Sequence, residues 1–171
     1  MNQQPVPAVA GLSAAAGLSA DQVRLSADQV RDLLALQPLP VEGGWFRRSF
    51  FDGTSSAIYY LLTAGEISAL HRLQAPEVYH FYSGAPARLL VLHPDGSVDE
   101  PVLGTDLLAG QRPQLVVPAG SWQGASSTGE WSLVGTTMAP PYTDEQFTLA
   151  DRADLTARYP AAAARIAELT R

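Results

Sequence analysis

The chain has 171 residues, the length of one domain with a core of its own, and 46% of them are hydrophobic while 16% are charged. Its net charge of −6, with 11 Lys and Arg against 17 Asp and Glu, lacks the basic footprint that a nucleic-acid or anionic-membrane partner requires. The absence of cysteine removes disulfides, thiolate nucleophiles and thiolate metal sites together, and no apolar run approaches the roughly 18 residues that span a bilayer.

In chain order, residues 1–17 are expected to form a disordered tail, because Pro5 and Pro7 block a regular start and few large apolar side chains are available to bury. No Lys or Arg precedes Arg24, and Gly11, Ser13 and Gly17 interrupt the apolar run. The charged and continuous parts of a secretory leader are both missing, so the expected location is cytoplasmic. A perfect tandem repeat follows, Leu18–Arg24 and Leu25–Arg31, each reading LSADQVR. Ser26 with Gln29 forms a capping box, and Val30, Leu33 and Leu34 continue at helical spacing until Pro38 and Pro40 stop it. The first copy either extends this helix back to residue 19, giving a helix over 19–36, or lies loose as a duplication scar.

From Trp45 the rhythm changes to short β-prone segments between turn residues. Strands are expected near 45–51, 56–63, 67–72, 77–82, 87–93, 97–103, 114–118 and 130–138, with Pro94-Asp95-Gly96 as a hairpin turn. Many short strands at this spacing indicate an all-β sandwich or barrel over 45–138, in a single domain of residues 18–171. Beyond Pro140-Pro141, helices are expected over 151–159 and 161–170, the second opened by Pro160 in its first turn.

Inside the β region, Gly65, His71, Leu73, Glu77 and Gly84 keep a fixed spacing, and Pro118-Ala119-Gly120 with Trp122 and Gln123 follows some way on. This resembles the two motifs of the cupin superfamily, with Leu73 where a second histidine stands and Gln123 where the histidine of the second motif stands. The stretches Glu42-Gly43-Gly44-Trp45-Phe46-Arg47, Ala57–Thr63, Glu77–Gly84 and Val117–Gln123 are similar to the bacterial and fungal cupin family long catalogued as a domain of unknown function and similar in fold to dTDP-sugar epimerases. The chain departs from that family at Pro40-Val41, where a His-Pro pair is usual, and at Arg48, where an acidic residue is common. The resemblance implies a double-stranded β-helix, or jelly-roll barrel, with a small ligand or a metal at its centre.

Strand alternation puts His71 and Leu73 on one face, and Glu77, Tyr79 and Phe81 on one face of the next strand. A histidine beside a carboxylate is either half of a metal site or an acid–base pair in which the carboxylate stabilises imidazolium. His80 has the wrong parity to join Glu77 unless a bulge re-aims it; the family resemblance keeps it as a candidate. His93 reads as a surface residue of its turn. Gln123 suits ligand orientation, Trp122 walls a pocket or fills core, and Arg47 offers a fork for carboxylate or phosphate or an outer ion pair. Of Tyr59 and Tyr60, one faces the interior and could serve as an acid, and parity does not say which. Glu42, beside two glycines, reads as a turn residue.

Three functions fit this set. One is an isomerase- or epimerase-like enzyme in which His71, tuned by Glu77, is the base and a tyrosine or His80 the acid. Another is a metal-dependent cupin, an oxygenase or lyase, holding Fe, Mn, Ni or Zn with His71, Glu77 and Gln123. The third is a cupin that binds a small molecule without turnover. A homodimer is also expected, because sheet edges need covering and the N-terminal segment is a natural cover.

Overall fold

The apolar runs from Trp45 onward fold into two facing antiparallel sheets. The structure, a computed structural model, describes residues 25–171. The expected tail over 1–17 and the first repeat copy lie outside the described residues. The second copy forms helix α1, Ala27–Leu33, whose capping box is the one expected: Gln29 N donates to Ser26 Oγ at 3.2 Å, and Ser26 N to Gln29 Oε1 at 2.9 Å. The helix ends at Leu34 rather than reaching residue 36, and Ala35 beyond it has a positive φ of 51°.

The strands are β1 (Gln37–Pro38), β2 (Trp45–Phe51), β3 (Ser56–Thr63), β4 (Ile67–Leu73), β5 (Glu77–Gly84), β6 (Ala87–Leu92), β7 (Val98–Asp99), β8 (Val102–Leu103), β9 (Gln114–Val117), β10 (Trp122–Ser127), β11 (Trp131–Met138) and β12 (Phe147–Leu149). One sheet has the order β1-β2-β3-β11-β5-β9; the other has β12-β4-β10-β6-β7, with β8 also on β6. Three differences from the expected strands have physical causes. The 97–103 segment divides at Glu100-Pro101, because proline has no N–H for the ladder, although its carbonyl still accepts from Leu89 N at 3.0 Å. β10 lies outside the expected strands, since Gly124, Ala125, Ser126 and Ser127 have little β-propensity; its central place between β4 and β6 overrides that preference. β12, between two helical segments, adds an edge strand to β4.

The core between the sheets is filled by Tyr60, Leu62, Tyr79, Leu89, Val91 and Val134. Each sheet is also covered outside. Helix α1 sets Val30, with Leu36 just beyond it, against Leu61, Trp45 and Trp131, and Trp131 Nε1 donates to Leu25 O at 3.0 Å. Helices α2 (Arg152–Arg158) and α3 (Ala163–Glu168) pack Leu155, Tyr159, Ile166 and Leu169 on Leu70, Leu90 and Leu92. Burial on both faces explains why Tyr60-Leu61-Leu62 is a continuous apolar run instead of an alternating one. Among the described residues no helix is long and apolar enough to cross a membrane.

Candidate functional site

Part of the interior is packed core, and part opens into a cavity of about 510 Å³, walled by the 39–42 segment, β2, β3, β4, β5, β11 and the 142–147 segment.

Its floor comes from β4 and β5. His71 and Glu77 both line the cavity and are 2% and 7% exposed, so they are sealed from bulk water except through it. The His71 ring stacks on Phe147 at 5.1 Å, and its Nδ1 lies 2.8 Å from Ala69 O. A carbonyl can only accept, so Nδ1 carries a proton, and in the neutral form of the ring the lone pair lies on Nε2. Glu77 Oε2 accepts from Gln123 Nε2 at 2.7 Å, and Gln123 is the register partner of His71 on the neighbouring strand. Burial pushes the Glu77 carboxyl above its ordinary range. His71 opposes that rise, the Glu42 carboxylate adds to it, and the Thr136 hydroxyl and the Gln123 amide oppose it. Burial, reinforced by neighbouring carboxylates, also holds the Tyr60 and Tyr79 phenols well above theirs.

One wall is the tight 39–44 segment. Leu39 N donates to Gly44 O at 2.9 Å and Gly43 N to Leu39 O at 3.0 Å. Val41 sits at φ 69°, an uncommon conformation for a β-branched residue, and Gly43 and Gly44 follow at 101° and 70°. Tyr60 donates its hydroxyl to Gly43 O at 2.9 Å, Ala69 N donates to Glu42 O at 2.9 Å, and Ser68 Oγ donates to Glu42 Oε1 at 2.6 Å. These bonds turn the Glu42 side chain to the cavity, so the residue read as turn-forming is also part of the lining.

Of the other residues singled out in the sequence, Tyr60 faces inward. Tyr59 faces out, with its ring 5.9 Å from Tyr82 and Arg47 Cζ 5.4 Å above it. Arg47 therefore lies on the outer face of the first sheet, while Arg48, one residue on, lines the cavity. His80 follows its strand parity outward, with Nε2 3.1 Å from Thr137 Oγ1 and Nδ1 3.4 Å from Gln114 Nε2. Trp122 packs among the residues beneath the C-terminal helices and under Arg72 at 4.8 Å. Glu42, Arg48, Thr136, Tyr142 and Phe147 also line the cavity and were not among the sequence candidates. The Glu42-Gly43-Gly44 stretch and the departure from the family pattern at Arg48 were the visible signals for them.

A second cavity of about 400 Å³ lies between β6, β7 and β9 and is lined in part by His93, Asp99 and Leu115. His93 links Asp99 Oδ2 (2.8 Å) to Ser121 Oγ (3.3 Å), in the order of a nucleophile relay. Ser121 is 1% exposed and outside that lining, so no substrate reaches its hydroxyl and the chain of contacts is structural.

The donor set does not fit a resident metal. Leu73 offers no ligand atom, Gln123 turns its NH2 toward Glu77, and among the described residues no three His, Cys, Asp or Glu side chains converge as a metal-holding group.

Two antiparallel sheets closed around a buried His–Glu pair define a double-stranded β-helix with an internal cavity. The chain belongs to the cupin superfamily (DUF985), whose family model matches residues 28–150. It is similar in structure to a Shewanella oneidensis protein at 36% identity and a TM-score of 0.81, over 86% of this chain and 99% of that one. A hypothetical protein from Leishmania major aligns at 24% identity and a TM-score of 0.79, over 85% of this chain and 99% of that one. Oxalate decarboxylase from Bacillus subtilis shares the fold at 13% identity and a TM-score of 0.55, over 78% of this chain and 37% of that one. The chain matches no curated protein.

Proposed function

We propose that the protein is an isomerase- or epimerase-like enzyme that moves a proton on a small polar metabolite within the barrel. The observation that carries this reading is the convergence of His71 and a buried Glu77 carboxyl, raised above its ordinary range, on one cavity. With its proton fixed on Nδ1, His71 is poised to accept at Nε2. A carboxyl pushed up by burial retains a proton nearer neutral pH and can give it up on demand. His71 Nε2 takes a proton from a carbon next to a carbonyl, and the C–H electron pair moves into an enediolate. Glu77 protonates the developing oxygen; His71 then returns its proton to the neighbouring carbon or the opposite face while Glu77 takes back a hydroxyl proton, so the carbonyl re-forms and both groups are restored. No oxidant or reductant is consumed. The acid is Glu77 rather than a tyrosine, because the buried Tyr60 phenol holds its proton too tightly and is bonded to Gly43 O. His80 lies outside the barrel.

The test is solvent exchange. Short ketoses, aldoses and 2-keto acids are incubated with the protein in D2O, and deuterium entering the C–H next to the carbonyl is followed by NMR. Wild type is expected to catalyse exchange on at least one of these, and His71→Ala and Glu77→Gln to slow it by about 100-fold or more. Exchange that survives in His71→Ala at the wild-type rate refutes the assignment.

A further inference from the structure

We propose that the cavity selects a monoanionic organic ligand, with its carboxylate held at the mouth by Arg48 and its uncharged, partly apolar body directed inward. This rests on the reading above that the cavity is the ligand site, and it adds the ligand's charge and direction of entry.

Among the described residues Arg48 is the only Arg or Lys in the cavity lining, and its guanidinium has no hydrogen bond and no ion pair. The ladder between β2 and β3 shifts register just after Arg48, between Arg48 and Phe50. Its register partner Ile58 lines the same cavity. The guanidinium is not loose, since its Cζ rests 4.9 Å over the Phe51 ring, which preorganises the fork while leaving its N–H donors unspent. An unpaired guanidinium beside an enclosed cavity favours a bidentate carboxylate.

The other charges determine which way the ligand lies. Glu42 and Glu77 line the inner wall, and Asp144 lines the cavity beside Tyr142. A second negative group carried inward would meet the Glu42 side chain and the buried Glu77 carboxyl, whose ionisation it would oppose further at low dielectric. The inner surface is otherwise apolar, from Phe46, Ile58, Leu73, Met138 and Phe147. One anionic end fits at Arg48, and a neutral body bearing a carbonyl or hydroxyl fits against His71. Small dianions fit poorly.

Matched probes test this without requiring turnover. Binding of 3-phenylpropanoate, its neutral amide 3-phenylpropanamide and the dianion adipate is measured by titration calorimetry at low salt. Wild type is expected to prefer the monocarboxylate over the amide by about 10-fold, a preference that shrinks as salt rises. It should bind adipate more weakly than the monocarboxylate. Arg48→Met is expected to abolish the preference while keeping a cooperative melting transition; Arg48→Lys should restore part of it. His71→Ala is expected to keep it, so failed proton exchange and failed anion selection are separate results. Equal binding of carboxylate and amide by wild type, a preference that persists in Arg48→Met, tighter binding of adipate, or no carboxylate binding up to about 10 mM each overturns the proposal.

Discussion

Replacing Glu77 with Gln should make the protein more stable at neutral pH while removing its proton chemistry. The two side chains are nearly isosteric, and a Gln carbonyl at position 77 can still accept from Gln123 Nε2, so the 2.7 Å bond survives. What disappears is a carboxyl whose ionisation inside the barrel, at 7% exposure, is unfavourable. Burial raises its folded-state pKa above the unfolded value, so between those two values the folded protein binds more protons than the unfolded chain. Wild-type stability therefore falls as pH rises from the ordinary carboxylate range through the raised pKa, and above that the penalty is fully present. Each tenfold change in proton affinity is worth about 1.4 kcal/mol. A gain of at least ~1 kcal/mol at pH 7 is expected, or about 2–4 °C in Tm for a chain of this size. Urea titrations of both proteins from pH 4 to pH 8 provide the assay, and the difference should close to within ~0.5 kcal/mol at the acid end, where both side chains are neutral. A variant less stable than wild type at pH 7 would show that Glu77 is held as a stabilising anion, and the acid role assigned to it would fall.

Three further outcomes bear on the scaffold. Leu90 is fully buried beneath the C-terminal helices, and Leu90→Ala should lower unfolding free energy by ~2–5 kcal/mol in urea titrations, with proton exchange per folded molecule retained. Gly44 adopts φ 70°, and a methyl there would stand 2.8 Å from Tyr60 Cε2 and 2.9 Å from Leu61 O. Gly44→Ala is therefore expected to cost ~2 kcal/mol or more and to weaken ligand binding, because it displaces the segment carrying Glu42. Removing the capping box with Ser26→Ala should cost ~1 kcal/mol in thermal melts and leave ligand affinity unchanged, since α1 lies on the outside of the first sheet.

The sequence alone was enough for the local features of the chain. Side-chain oxygens at Ser26 and Gln29 start α1 through bonds three residues apart, and strand alternation places His71 with Leu73 and sends His80 away from Glu77. Such features rest on near neighbours in the chain. Alternation says which residues share a face but not which face is inside. In β2 and β3 hydrophobicity does not decide either, because α1 buries the outer face as the barrel buries the inner one. The choice between Arg47 and Arg48, and between Tyr59 and Tyr60, was therefore made by the packing of distant elements. The same is true of Glu42, turned inward by Ser68, Ala69 and Tyr60, and of Phe147, whose strand must pair with β4 before its ring can stack on His71. The His–Glu pair follows from spacing along the chain, whereas the surface that a ligand meets depends on contacts between segments remote in sequence.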